Sequence, residues 1–166
     1  LLLTNTYAQQ KICSTDDVMH DLLKNKPELI EYFDNYALKL KTFKQEARSS
    51  YVVFTVPVVF HLVHNDGIEN ISIDQVLDGL RILNEDFSRL NPDTGNTRSI
   101  FLPVAANCQI EFKLAQTDPW GNCTDGITRN QSALSINAND DVKSVVSWDN
   151  NKYLNIWVVQ SVYIYT

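Results

Sequence analysis

Among 166 residues there are only five glycines, five prolines, three histidines and three cysteines. So little glycine and proline excludes collagen-like and low-complexity character. No apolar run reaches the ~18–20 residues that a membrane-spanning helix needs. Basic side chains are outnumbered 14 to 20, for a net charge of −6, and form no cluster. Such a chain is a poor partner for nucleic acid or an anionic membrane surface. Self-sufficient chemical motifs are missing too. There is no Gly-x-Ser-x-Gly, phosphate-binding glycine loop, Cys-x-x-Cys, His-Glu-x-x-His or EF-hand loop. What is plentiful is apolar sequence, 44% of the chain against 20% charged. That is enough to bury a core in one domain with a short appendage.

The ends carry their own expectations. Leu1-Leu2-Leu3 followed by Thr6-Tyr7-Ala8 reads as the tail of a secretory signal with a small-residue cleavage site, so residues 1–8 are expected to be a signal remnant and the protein secreted. The stretch Val158 to Thr166 stops inside apolar, β-rich sequence, which suggests a fragment. Cys13, Cys108 and Cys123 are odd in number. One of them in an exported chain must stay free, bind something or pair elsewhere. A hairpin turning at Pro119–Asn122 sets Cys123 against residue 117 and leaves Cys108 about 20–30 Å away at ~3.3 Å per residue. A Cys108–Cys123 disulfide therefore needs a sharply bent strand.

Residues 9–50 read as a helical arm. Ser14 or Thr15 can cap a first helix with Val18, Met19, Leu22 and Leu23 as its apolar stripe, and Pro27 suits the first turn of a second. Leu29, Phe33, Tyr36, Leu40 and Phe43 recur at spacings of 4, 3, 4 and 3, a helical face. About 40 residues cannot hold an independent core. Beyond the polar linker Gln45–Ser50, Tyr51–Val63 is a nearly continuous apolar, β-branched run and predicts a buried strand that starts at Pro57. Ser72 with Gln75 forms a capping box, and Ile71 with Val76 a hydrophobic staple. They open a helix whose stripe is Ile73, Val76, Leu77, Leu80, Leu83, Phe87 and Leu90, ended by Asn91–Asn96. Gln109–Ala115 alternates as a half-exposed strand, Ile127–Ser132 is a short strand, Asn137–Ser147 is loop-like with room for a helical turn, and Tyr153–Val159 is a buried strand. This order predicts an α/β fold in which a mixed, twisted sheet packs on one long helix. The two apolar strands, 51–63 and 153–165, are expected to be incompletely covered.

Candidate site residues are few. His61 and His64 stand three apart on a strand and so point to opposite faces, which does not suit a shared metal. The expectation is one packed inside and the other at the strand end near Asn65-Asp66-Gly67. His20 lies on the first helix and is expected in solvent. Glu85-Asp86 and Asp140-Asp141 lack the paired, unequal environments of an acid/base couple. Asn91–Asn96 and Asn137–Asp141 carry oxygen ligands suited to calcium, without a defined spacing. Three Asn-x-Ser/Thr patterns, at Asn70, Asn122 and Asn130, matter only in a eukaryotic secretory pathway.

Several segments, in order, resemble one family. Val56-Pro57-Val58-Val59-Phe60-His61-Leu62-Val63-His64-Asn65 is similar to the first strand of secreted pappalysin-type (cytophagalysin-like) zinc metallopeptidases, a metzincin branch. Asn70–Val76 then leads into Leu83-Asn84-Glu85-Asp86-Phe87-Ser88-Arg89-Leu90-Asn91-Pro92-Asp93-Thr94. Ile110-Glu111-Phe112, Gly126-Ile127-Thr128-Arg129 and Trp148-Asp149-Asn150-Asn151-Lys152-Tyr153-Leu154-Asn155-Ile156-Trp157-Val158 follow. The resemblance covers roughly residues 52–159.

That resemblance implies a metzincin-like N-terminal subdomain at 51–166, a propeptide arm at 9–50, zinc as cofactor, protein or peptide substrates, and hydrolysis by metal-activated water. It also implies that Cys13, in Lys11-Ile12-Cys13-Ser14-Thr15, holds the zinc of the latent form as a cysteine switch. Ser14 stands where the family pattern has Gly, and a Cβ there disfavours φ > 0. The family's His-Glu-x-x-His-x-x-Gly-x-x-His helix is not in the chain, so no catalytic residue is assigned in it and the chain alone is expected to be inactive. The competing reading is a non-catalytic exported binding or adhesion module on the same fold.

Overall fold

The computed structural model describes residues 15–42 and 52–163. The chain separates into two compact units with the boundary after Ser50. The expected signal remnant (1–8), Cys13 and the linker 45–50 lie outside the described residues.

In the first unit, α1 (Thr15–Asn25) and α2 (Glu28–Thr42) flank Pro27. Proline lacks the N–H that a continuous helix would use there. The Lys26 N–H closes α1 on the Leu22 carbonyl at 2.8 Å, and the Ile30 N–H opens α2 on the Pro27 carbonyl at 3.1 Å. Glu28 and Glu31 in the first turn of α2 and Lys24 in the last turn of α1 oppose the helix dipoles favourably. Val18, Met19, Ile30, Phe33 and Tyr36 are exposed, and His20 stands in solvent as expected.

The second unit is built around β1 (Phe54–His64). β2 (Ile110–Leu114) pairs with Phe54–Val58, β3 (Ile127–Gln131) with Phe60–His64, and β4 (Leu154–Val158) with Val58–Leu62. All three pairings are parallel, where the sequence pattern predicts a mixed sheet. The antiparallel bridge among the described residues is Thr117↔Cys123 across the Asp118–Asn122 turn, the register the hairpin argument expects. Cys108 and Cys123 are both free and exposed.

Backbone parity shows how β1 is shared. The Phe54 N–H bonds the Gln109 carbonyl, the Val58 carbonyl accepts from Ala115, and the Phe60 N–H bonds Gly126. Even-numbered residues of β1 thus serve the edge that β2 and β3 occupy in tandem, and odd-numbered residues serve β4. This corrects the expectation that the strand starts at Pro57. Pro57 lies inside β1 opposite Lys113, and its missing N–H falls on the β4 side, one residue before β4 pairing starts at Val58. Gly126 makes the tandem arrangement possible. It has φ +73°, and a Cβ there would lie 2.8 Å from the Ala115 nitrogen.

α3 (Ile73–Ser88) covers the even face. The capping box forms as expected: the Gln75 N–H donates to the Ser72 hydroxyl at 3.2 Å, and the Ser72 N–H donates to the Gln75 side chain at 2.9 Å. Val76, Leu80, Leu83 and Phe87 pack on Val58, Phe60, Leu62 and Phe112. The stripe is narrower than the pattern predicts, because Ile73, Leu77 and Leu90 remain exposed. Val58 to Val63 are buried; among the described residues the incomplete coverage expected of the apolar strands falls on Val52–Thr55 and Pro57, on β4, whose Leu154 is exposed and whose other residues are half-buried, and on Val162 and Tyr163. The odd face is covered by irregular chain holding two short 3₁₀ turns, Ala133–Ser135 and Asp140–Ser144.

The outward face of β2 is closed by a side chain. The Phe112 N–H donates to Asn84 Oδ1 at 2.8 Å, and Asn84 Nδ2 donates to the Phe112 carbonyl at 3.0 Å and to Leu80 at 3.1 Å. Asn84 stands in for a neighbouring strand. Asn84→Leu, which keeps the volume and removes these bonds, is expected to destabilise the chain by about 2 kcal/mol in urea unfolding. A loss below about 0.5 kcal/mol contradicts that role.

Candidate functional site

The buried part of the odd face of β1 carries one polar residue, His61, between Val59 and Val63, and it is 0% exposed. A buried ring must satisfy both nitrogens. Nδ1 lies 2.7 Å from the Thr128 hydroxyl on β3, and Nε2 lies 2.8 Å from Asn155 Oδ1 on β4. The register brings all three together, because Thr128 stands opposite His61 and Asn155 opposite Val59, the neighbouring residue on the same face.

Asn155 fixes the tautomer. Its Oδ1 also accepts the Trp148 N–H at 2.8 Å, while its Nδ2 donates to the Trp148 carbonyl at 3.0 Å and to Asn150 Oδ1 at 2.8 Å. The oxygen therefore faces His61, whose Nε2 must carry the proton, and the Thr128 hydroxyl donates to Nδ1. Trp148 and Trp157 close the pocket, with ring centroids 6.0 and 5.5 Å from the imidazole. Trp157 Nε1 donates to the Val146 carbonyl at 2.9 Å, and the Tyr153 hydroxyl donates to the Thr117 carbonyl at 2.9 Å. Asp149 caps the intervening turn through the Asn151 N–H, which holds its carboxyl below the usual range.

The other candidates are not brought together. His64 ends β1 on the opposite face, 3.4 Å from Asp66, so the two histidines share no ligand. Glu85 pairs with Arg81, and Asp140 with Lys143. In Asn91–Asn96 the oxygens serve one another: Asn91 donates to Asp93 at 2.5 Å and accepts from Thr94 at 2.9 Å. In Asn137–Asp141, Asn139 Oδ1 accepts the Asp141 N–H at 2.8 Å. Neither loop gathers its oxygens around a cation. Among the described residues no group of three His, Cys, Asp or Glu side chains is placed to hold a metal. Cys13 lies outside them.

Sequence reasoning places His61 inside but misses its partners. The available signal is Asn155, a lone amide within the apolar stretch Tyr153–Val159, where a buried polar side chain needs a partner. Glu69 is missed as well. It is 4% exposed and accepts the Asn65 N–H at 2.6 Å, and that bond first of all holds its carboxyl below the usual range.

Burial holds the pKa of His61 below its ordinary 6.5, against the smaller upward effect of the Asn155 bond. Between the folded and unfolded values only the unfolded chain binds the proton. This contribution to stability is complete above pH ~6.5 and is lost as pH falls through that window, at up to ~1.4 kcal/mol per pH unit for one proton. Urea midpoints from pH 8 to 5 should fall more steeply for the wild type than for His61→Gln. Parallel curves rule out His61 as their cause.

The chain matches no protein-family model and no curated protein. Among solved structures it is similar to a promirolysin point mutant from Tannerella forsythia, at 34% identity over 84% of this chain and 47% of that one, with a TM-score of 0.68. It is similar to mature mirolysin of Tannerella forsythia in complex with a cleaved peptide, at 40% identity over 66% and 43%, with a TM-score of 0.57. Mirolysin in complex with compound 9 gives 40% identity over 64% and 42%, with a TM-score of 0.55. The chain thus spans a little under half the length of these structures. Mirolysin is a metallopeptidase, which implies a metal, typically zinc. The described residues do not fit that metal: both His61 nitrogens are engaged, and His64 faces away. The α/β fold of this chain, with an open parallel sheet and helices, is the metzincin-like fold of promirolysin and mirolysin.

Proposed function

We propose that the chain is part of the precursor of a secreted zinc metalloendopeptidase that hydrolyses protein or peptide substrates. Residues 51–166 form the first part of its catalytic domain, residues 9–50 are its propeptide arm, and the metal-binding histidines come from sequence outside the described residues. The observation that carries this reading is the contrast between the pro-form and the mature forms. Promirolysin matches 84% of this chain, and the mature form 66%. The difference between 84% and 66% of 166 residues is about 30 residues, close to the 11 of α1 plus the 15 of α2. The helical arm is thus close in size to the difference in coverage between the two matches, which supports reading it as the propeptide.

In this reading the described residues are scaffold. β1 and α3 supply the core, and His61, Asn155 and Trp148 seat β4. Cys13 masks the metal until the arm is cleaved, since a thiolate is a strong zinc ligand.

Experiments on the chain, its coding sequence and the complete precursor test the proposal. The 166-residue chain, supplied with zinc, should cleave nothing in a broad peptide library above the no-protein control; metal-dependent cleavage by the chain alone overturns the assignment of the metal ligands. The coding sequence after Thr166 should run within about 40 residues into His-Glu-x-x-His-x-x-Gly-x-x-His, and the complete precursor should show chelator-sensitive hydrolysis once the arm is removed. A complete precursor without such activity favours the binding-module reading. In the active protein, Cys13→Ala should raise activity before arm removal by about tenfold or more.

A further inference from the structure

The two residues of β4 bound to His61 are also the two that face its free edge. Odd residues of β1 bond to β4, so Leu154, Ile156 and Val158 turn their backbone groups toward β1, and Asn155 and Trp157 turn theirs outward. Among the described residues no strand pairs with that outer edge. The side chains of the same two residues point back to His61: Asn155 through a 2.8 Å hydrogen bond, and Trp157 through a ring contact at 5.5 Å. Beside the ladder to β1, the side chains of both outward-facing residues are thus gathered on one buried imidazole.

We propose that His61 is a positioning residue for the peptidase reaction: in its neutral form it fixes the outer edge of β4, and with it the part of the enzyme built onto that edge. This rests on the metallopeptidase reading above.

Among the described residues the pocket presents no charge to compensate an imidazolium. From β3 it presents Thr128, from β4 Asn155 and Trp157, and from the preceding turn Trp148, none of which titrates in the working range. Behind them Lys143 lies with its ammonium 5.9 Å from the Trp157 ring centroid, and its charge is taken up by Asp140 at 2.6 Å, so neither group is directed at His61. An added proton at Nδ1 also reverses the Thr128 bond, because the ring then donates where it accepted. Protonation accordingly strains the contacts that seat Asn155 and Trp157.

The test uses the complete enzyme after arm removal, with kcat and KM measured between pH 5.5 and 8 for the wild type, His61→Gln and His61→Leu. Tryptophan fluorescence of the 166-residue chain, wild type and His61→Gln, is followed over the same range. His61→Leu should lower kcat about tenfold while KM changes less than about threefold, at a temperature where the variant is folded. His61→Gln, which still offers an N–H to Asn155, should recover most of that loss. It should also lack the acid-side fall in kcat and the matching fluorescence change that the wild type shows. If His61→Leu does not fold, the pH profile of His61→Gln decides alone, and an acid limb identical to wild type overturns the proposal. Folded variants with wild-type kcat, KM and pH profile overturn it as well, while the peptidase reading stands. A complete wild-type enzyme without metal-dependent hydrolysis removes that reading first, and this proposal with it.

Discussion

Every strand of the sheet is paired to β1, so the fold depends on one eleven-residue segment whose centre, Val58–Leu62, is enclosed on both faces and both edges. The central run Val58–Val63 meets α3 and its stripe on the even side and irregular chain on the odd side. A strand so enclosed has no water to fall back on, and any polar side chain in it must find protein partners. His61 is that side chain. It reaches Thr128 on β3 and Asn155 on β4, tying together two strands that lie on opposite edges of β1. A half-satisfied polar group here would cost more than an apolar one, so the network has to be complete or absent.

Local signals were legible in the sequence and pairing was not. The Ser72–Gln75 box, the Pro27 break and the Thr117–Cys123 turn each rest on residues within a few positions of one another, and each forms as read. The parallel order of the sheet and the interior place of Pro57 depend on which distant strand lies against which half of β1. Proline marks the beginning of a strand only if both edges are occupied; here one edge is empty at Pro57. The stripe of α3 was read too wide because hydrophobicity shows what can be buried, while the breadth of β1 and β2 decides what is. The site was the least legible part. Asn84 and Asn155 look like ordinary polar residues, and their work is done on Phe112 and Trp148, 28 and 7 residues away.

The segments that carry the family resemblance are largely these structural devices. Asn84 and Phe87 in one segment, His61 in another, and Trp148 with Asn155 in a third each hold backbone or fill core. A resemblance of this kind speaks first for the scaffold, which agrees with described residues that share the fold of mirolysin and gather no metal ligands.

The margins of the sheet are treated unequally, and this shows where it can grow. The outward backbone of Phe112 on β2 is occupied by the Asn84 amide, and on β3 the Ile127 N–H is taken by Asp125 while exposed Arg129 and Gln131 follow. Charge and side-chain capping are the usual means of refusing another strand. β4 has neither: Leu154-Asn155-Ile156-Trp157-Val158 contains no charged residue, and among the described residues nothing pairs with its outer edge. An uncharged, uncapped edge beside two closed ones is a place for one more strand to add, and its geometry is held from beneath by Asn155 and Trp157 on His61. Among the described residues the β4 side is thus the margin left open, and a protonation of His61 acts on the contacts beneath it.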